Sequence, residues 1–193
     1  MVRSHLTAHD ALCRLAAGQI WIRSGRAKDM TWYGAGHLRR IQNFENTLKH
    51  SGRKPVLRLA NRHRCYACDT GVNPFATGDH IVPSAKGGPP SADNFAPMCA
   101  FCNSSKGDQD LIAWWLTKGG TLWSLDPDVT VQYCRVTYSR LVALEMLGSP
   151  APEPVIRLLS QFADSLPTAE HTAAFNDIRA PAGVQMALWA VGR

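Results

Sequence analysis

The pattern of hydrophobic and polar positions predicts helices in the first third of the chain. Residues 6–22 and 31–49 repeat apolar side chains with the period of an amphipathic helix. In the second segment this stripe consists of Leu38, Ile41, Phe44 and Leu48. Basic side chains lie off the stripe, among them Arg39, Arg40 and Lys49. Residues 54–61 are predicted as a further short helix.

The middle of the chain combines short alternating segments with loops. Residues 71–83 alternate sufficiently to predict one strand of a hairpin. The run Gly87-Gly88-Pro89-Pro90 cannot continue a strand, so residues 84–90 are expected to form a crossing loop before Asn94. One helix is expected to start near Cys102 and to end at Gly119-Gly120. Its predicted buried positions, at helical spacing, are Leu111, Trp114 and Trp115. For both tryptophans, core packing is favoured over stacking on a nucleic-acid base.

The last third of the chain is predicted to be helical throughout. Asp126-Pro127 combines an N-cap with proline at the first helical position, and Gly148 lies past the other end, so one helix is predicted over 127–147. A proline-rich connector at 149–154 precedes two shorter helices, at 155–163 and 169–178. No catalytic signature or repeat occurs here, which favours a helical buttress over a partner-binding surface.

Length and composition limit the class of protein. The chain has 193 residues, of which 45% are hydrophobic, enough for one compact domain or two very small ones and too many for a disordered tail. The longest purely apolar runs stop at six residues, whereas a membrane-spanning helix needs about 20. His9, Asp10 and Arg14 interrupt any signal-peptide core near the start. A cytoplasmic protein without a membrane span is therefore expected.

Charge is distributed unevenly along the chain. The first 64 residues contain 13 Lys and Arg against three Asp and Glu, and residues 65–110 contain two against five. A basic arm beside a slightly acidic segment is typical of a protein that holds a polyanion. A solvated basic helix surface would give the same count, and charge alone does not separate the two.

Four of the six cysteines form two pairs with the same spacing. Cys65 and Cys68 make one Cys-x-x-Cys pair, and Cys99 and Cys102 make the other, with 30 residues between the pairs. This pattern predicts a closed, structural zinc site with four thiolate ligands. Disulfides or unrelated thiols are the alternative, which a reducing compartment disfavours. The other two cysteines, Cys13 and Cys134, are interpreted as small core residues.

Residues with catalytic chemistry lie between and beside these pairs. Asp79 and His80 are adjacent, so on a strand they face opposite sides unless the strand end twists, which would place a metal-binding carboxylate beside a free imidazole. Asn103 and Lys106 are three residues apart and share one face of a helix. The zinc would fix this helix against the hairpin, so that these four side chains could converge on one phosphate.

Taken together, these motifs resemble the HNH endonuclease family, in the branch with four zinc-binding cysteines. The resemblance covers about residues 56–116 and includes both cysteine pairs, Asp79-His80-Ile81-Val82-Pro83, the glycine loop, Asn94 and Cys-x-x-Cys-Asn-x-x-Lys-Gly, all in order. It implies a mostly helical α+β fold, in which a treble-clef-like, zinc-clamped ββα-metal unit is flanked by N-terminal and C-terminal helices. The expected regions are a basic helical segment at 1–55, the nuclease core at 56–118 and a helical segment at 119–193.

The resemblance also implies a role for each site residue. His80 would be the general base that deprotonates the attacking water. Asp79 would hold a single divalent ion, which binds a phosphate oxygen and stabilises the leaving 3′-oxygen. Asn94 would pin the loop through backbone hydrogen bonds and so orient His80. Asn103 replaces the family's final histidine, and its amide oxygen as second ligand favours Mg²⁺ or Mn²⁺ over Zn²⁺ as the catalytic ion.

The expected function is metal-dependent hydrolysis of DNA, most simply double-stranded DNA. The residues expected to contact it are Arg39, Arg40, Arg62, Arg64 and Lys106. For Lys106, a phosphate contact and a plain position on the helix surface are equally supported. His63 is interpreted either as a phosphate contact or as a solvated residue.

Two alternatives remain from the sequence. One is a non-catalytic zinc module that binds nucleic acid or a protein, and the other is a nuclease subunit active only within a larger complex. The joint presence of Asp79, His80 and Asn94 favours an enzyme. Cleavage of both strands would suggest a homodimer or a partner subunit.

Overall fold

The computed structural model describes residues 6–23, 62–73 and 78–178. The helices predicted at 31–49 and 54–61 lie outside these residues, as do Arg39 and Arg40. In chain order, the elements are α1 Ala8–Arg23, β1 Gly78–His80, β2 Phe95–Pro97, α2 Ala100–Lys106, α3 Leu111–Thr117, α4 Pro127–Ala143, α5 Glu153–Asp164 and α6 Ala169–Asn176. The predicted fold class is confirmed, because a small antiparallel sheet is followed directly by a helix in a mostly helical protein.

The sheet consists of two short strands with a fixed register. Gly78 lies opposite Pro97, and His80 lies opposite Phe95. At three residues, β1 is much shorter than the predicted 71–83, because Gly71 pairs instead with Arg64 at the first cysteine pair. Glycine is required at position 78, since a Cβ there would overlap the ring of Phe95.

The single helix predicted from Cys102 to Gly119 is wrong, because the chain forms two helices there. Gly107 ends α2 with φ 50° and ψ −134°, a conformation that a side chain disfavours. Asp110 then caps α3, its carboxylate accepting hydrogen bonds from the amides of Ile112 at 2.9 Å and Ala113 at 3.3 Å. The predicted burial of Leu111, Trp114 and Trp115 is confirmed.

The predicted helices of the last third are confirmed, with one corrected end. Asp126 caps α4 as expected, accepting from the amides of Asp128 at 2.9 Å and Val129 at 3.0 Å. The helix ends at Ala143 rather than at residue 147, because Glu145 adopts a left-handed conformation with φ 56°. Helices α5 and α6 begin and end within two residues of their predicted bounds.

One hydrophobic core joins the first helix, the ββα unit and the C-terminal helices. Helix α1 packs on α4 and α5, and Cys13 and Cys134 are buried in this core as predicted. The buried Arg14 side chain donates to the carbonyls of Ile178, at 3.1 Å, and Asn176. Among the described helices, none has the length and apolar character needed to cross a membrane.

Candidate active site and metal centre

Four cysteine sulfurs from two distant segments meet beside the start of α2. The ligand atoms of Cys65, Cys68, Cys99 and Cys102 all lie within 4.8 Å of one another. The sulfurs of Cys68 and Cys99 are 3.7 Å apart, and a tetrahedral ion with 2.3 Å bonds would separate its sulfurs by about 3.8 Å. All six cysteines are free thiols, so the disulfide alternative is wrong. The four thiols are therefore positioned to bind a zinc ion.

Backbone hydrogen bonds shape the two cysteine turns. The amide of Cys65 donates to the Thr70 carbonyl at 2.8 Å, and the amide of Asp69 donates to the Cys65 carbonyl at 2.9 Å. Asp69 adopts a left-handed conformation with φ 59°, which aspartate tolerates better than most residues. In the second turn, Cys99 caps α2, and its sulfur accepts from the amide of Cys102 at 3.4 Å.

The four thiols differ in acidity. Hydrogen bonds from the side chain and backbone of Thr70 lower the pKa of the Cys68 thiol to about 6. Burial raises the pKa of Cys65 and also that of Cys102. Zinc binds thiolates, so loading the site releases protons, and its zinc affinity falls as the pH decreases.

A buried lysine connects α2 to the strand that carries Asp79 and His80. The side chain of Lys106 is fully buried; its Nζ lies 2.7 Å from Asp79 Oδ2 and donates to the His80 carbonyl at 3.0 Å. The alternative of Lys106 as a helix-surface lysine is therefore wrong. Its contact with phosphate stays a prediction, and in this structure its ammonium group contacts the Asp79 carboxylate and the His80 carbonyl.

Burial and this ion pair have opposite effects on the charge of Asp79. Burial raises the pKa of the Asp79 carboxyl above its usual value, and the hydrogen bond and charge of Lys106 act in the opposite direction. The carboxylate is only 10% exposed, so Lys106 is its main compensation for lost hydration.

Replacement of Lys106 by methionine is expected to lower the free energy of unfolding by about 3 kcal/mol at neutral pH, near the low end for breaking a buried ion pair. The pKa of Asp79 then rises further. A protonated Asp79 needs no cation. The stability lost in Lys106→Met should therefore be smaller at pH ~5 and should increase as the pH rises through the raised pKa of Asp79. Urea unfolding between about pH 5 and 8 measures this. Lys118→Met, at an exposed lysine, is the matched control, and a deficit independent of pH would contradict the prediction.

Asn94 fastens the loop that follows His80. Its buried side chain accepts from the Val82 amide at 2.8 Å and donates to the carbonyls of Val82 at 2.8 Å and Pro89 at 3.0 Å. Gly88 lies against this contact, where a Cβ would overlap the Val82 carbonyl. The two ends of the loop are thus held together; that this orients His80 stays a prediction.

Asn103 ties α2 to the same strand. Its Nδ2 donates to the carbonyl of Gly78 at 3.2 Å, one residue before Asp79. The amide oxygen, the atom that a metal ion would use, takes no part in this bond. A carboxylate and an amide oxygen are the hard oxygen donors that Mg²⁺ and Mn²⁺ prefer. That Asp79 and Asn103 hold such an ion stays a prediction.

Two arginines expected to contact DNA are paired with acidic residues. Arg62 forms an ion pair with Asp126, the N-cap of α4. Arg64 Nε lies 2.9 Å from Asp69 Oδ1 and holds the pKa of that exposed carboxyl below its usual value. Their contacts with DNA stay predictions, and for Arg62 the structure shows a role in joining the first cysteine turn to α4.

Sequence reasoning missed the arginines on α4 that face the loop. Arg135 and Arg140 are in a segment to which no site was assigned, and they come near Gly87 and Asp93 only through tertiary packing. The exposed, helical position of Arg140 gave no local signal of this.

The comparison with known families locates one domain in the chain. Residues 64–109 match the family model described as HNH endonuclease. No curated protein and no solved structure matches the chain. The matched residues include both cysteine turns, β1, the loop fastened by Asn94, β2 and α2. Residues 64–109 therefore match an HNH endonuclease domain, and the four cysteines clustered there are consistent with the family's four-cysteine branch.

Proposed function

We propose that this protein is a divalent-metal-dependent endonuclease that hydrolyses DNA phosphodiester bonds. One observation carries the proposal. Asp79 and His80 on β1 are joined to Asn103 on α2 by the contacts of Lys106 and of the Asn103 amide, within residues that match a nuclease family. Such a junction supplies a carboxylate, an amide oxygen and an imidazole in one small region.

Each residue has a separate task in this proposal. The imidazole of His80 takes the proton of the attacking water. Asp79 and Asn103 hold Mg²⁺ or Mn²⁺, which when bound supplies positive charge to the phosphate and to the leaving oxygen. Asn94 keeps the loop after His80 closed, so the imidazole has a fixed backbone beneath it.

The four cysteines serve a different purpose from the catalytic ion. A zinc ion bound by four thiolates has no open position for water or phosphate, so it stabilises structure only. In the proposed division of labour, residues 1–55 hold the duplex, residues 56–118 cut it and residues 119–193 support the domain.

Cleavage of supercoiled plasmid by the purified full chain tests the proposal. We expect conversion to nicked or linear DNA with Mg²⁺ or Mn²⁺, and no conversion when these ions are left out. Zinc content, measured in the same samples, must stay at about one ion per chain, which separates loss of the catalytic ion from loss of structure.

One result would contradict the proposal. If protein that carries zinc and binds DNA leaves the plasmid intact with both ions, the chain is a binding module or a subunit that needs a partner.

A further inference from the structure

A cleft separates helix α4 from the loop between β1 and β2. Its volume is about 620 Å³, within the range of small-molecule and nucleotide sites. The loop side presents Gly87, Pro89 and Ser91, and the helix side presents Arg135, Arg140 and Leu144. The cleft thus lies between the HNH domain and α4, a helix to which sequence analysis assigned no site.

The rim of the cleft is positively charged. Arg140 is exposed, and in the part of the chain that the structure describes no carboxylate lies within ion-pair distance of it. Arg135 differs, because it faces Asp93 at 3.9 Å and donates to Gln132 at 2.9 Å. The exposed Lys86 adds a further cation on the loop. Asp93 also lines the cleft, and its carboxylate faces Arg135, so an anion at Arg140 would not have to displace an acidic partner there.

Arg140 lies against the loop where the backbone has no side chain. A Cβ at Gly87 would be 3.3 Å from Arg140 Nε, and Gly87 has φ 77°, so this turn favours glycine. The absence of a side chain leaves the guanidinium accessible from the loop side. Asn94 fastens the same loop directly after the strand that carries His80, so the backbone that Arg140 faces is tied to that strand.

The floor of the cleft is mainly apolar. Val136, Ala143 and Leu144 are among the residues that line it and contribute aliphatic surface. A ligand with an apolar ring face and an anionic edge matches this combination, and a nucleotide unit of a DNA strand has both, in its sugar and its phosphate.

We propose that this cleft binds the backbone of the DNA substrate, with Arg140 contacting a phosphate other than the one that is cleaved. This inference rests on the proposed nuclease function and adds a substrate-positioning residue, Arg140, outside the matched residues 64–109. Arg140 is then a binding residue, and the cleavage rate at saturating DNA should not depend on it.

Arg140→Ala tests the inference, with Arg157→Ala as the matched control. Arg157 is an exposed arginine of α5 that does not line the cleft, so its loss changes the net charge equally. Each substitution is combined with His80→Ala, so that the DNA is not cut during the measurement. The affinity of each protein for a DNA duplex is then measured as a function of salt concentration. We expect Arg140→Ala to weaken binding about five- to tenfold at low salt and to reduce the salt slope by about one, with the control unchanged.

Thermal unfolding separates binding from a structural effect. Arg140 is in the last turn of α4, where a cation also favours the helix dipole. The inference requires the binding defect to appear in Arg140→Ala protein that has the zinc content of the control and is fully folded at the temperature of the binding assay. A binding defect seen only at temperatures where the variant is partly unfolded would overturn it.

The remaining outcomes separate the inference from the proposed function. If the wild type cuts DNA but the two variants have equal affinity and equal salt slopes, the inference is wrong and the nuclease function stands. If the wild type neither binds nor cuts DNA, both are wrong. A free nucleotide offers the same phosphate, so calorimetry with dAMP is the second arm. Binding of dAMP that requires Arg140, with unchanged DNA binding, would overturn the assignment to a DNA strand.

Discussion

His80→Ala is expected to reduce the rate of DNA cleavage by about 10²- to 10⁴-fold, the range that a general base contributes. The backbone at His80 is held by its pairing with Phe95 and by the bond from Lys106 to its carbonyl. Both contacts survive removal of the imidazole, so the variant should fold and bind zinc like the wild type. Single-turnover cleavage of plasmid with Mg²⁺ measures the change.

His63→Ala is the matched control for this experiment. His63 is an exposed histidine of the same domain, and its backbone carbonyl accepts a hydrogen bond from the amide of Val72 at 2.9 Å. Its loss should leave the catalytic rate nearly unchanged. Added imidazole should restore part of the activity of His80→Ala only, because it replaces the missing base. A His80→Ala protein that cuts at the wild-type rate would remove His80 from the mechanism.

Loss of the zinc site is expected to unfold the HNH domain. Structural zinc contributes about 10–16 kcal/mol of apparent binding free energy, comparable to the entire stability of a small domain. Cys102→Ser removes a buried ligand in the first turn of α2 and should yield protein without zinc. Metal analysis, circular dichroism and thermal unfolding measure the result, and cleavage should disappear together with the fold.

Cys134→Ala provides the comparison for a buried thiol outside the site. Cys134 lies in the core on α4, so its replacement leaves a small cavity but does not touch the zinc ligands. This variant should keep one zinc per chain with modestly lower stability. Cys68→Ser should lose zinc although Cys68 is exposed. Full zinc content in either ligand variant would show that the four cysteines are not the ligand set.

Local signals in the sequence were sufficient for most helices. Asp126-Pro127 marks the start of α4 because a cap and a fixed φ act within a few residues. The end of that helix at Ala143 had no such signal, since Glu145 in a left-handed conformation is rare for a residue with a side chain. The break at Gly107 did have a signal, a glycine followed by the cap Asp110, but the helical spacing of the tryptophans hid it.

Features that depend on distant partners were not predictable from the sequence alone. Burial of Lys106 requires Asp79, which is on another element and supplies the compensating charge. The same applies to Arg62, whose partner Asp126 is 64 residues away. The cysteine site differs, because the two repeated spacings encode the ligand geometry directly. Sequence motifs therefore indicated which residues carry the candidate chemistry. The ion pairs of Lys106 and Arg62 could be identified only from the structure.

The long-range contacts of α1 have a consequence for the order in which the chain folds. Arg14 bonds to a carbonyl 164 residues away, and Gln19 donates to Leu122 across 103 residues. Closing such large loops is slow, so these contacts form late. On the ribosome, α1 emerges well before α4 and α5, the helices that pack on it. The zinc ligands lie in one short segment, so the HNH domain can fold before α1 is covered. Until then, the apolar face of α1 is exposed and prone to aggregate.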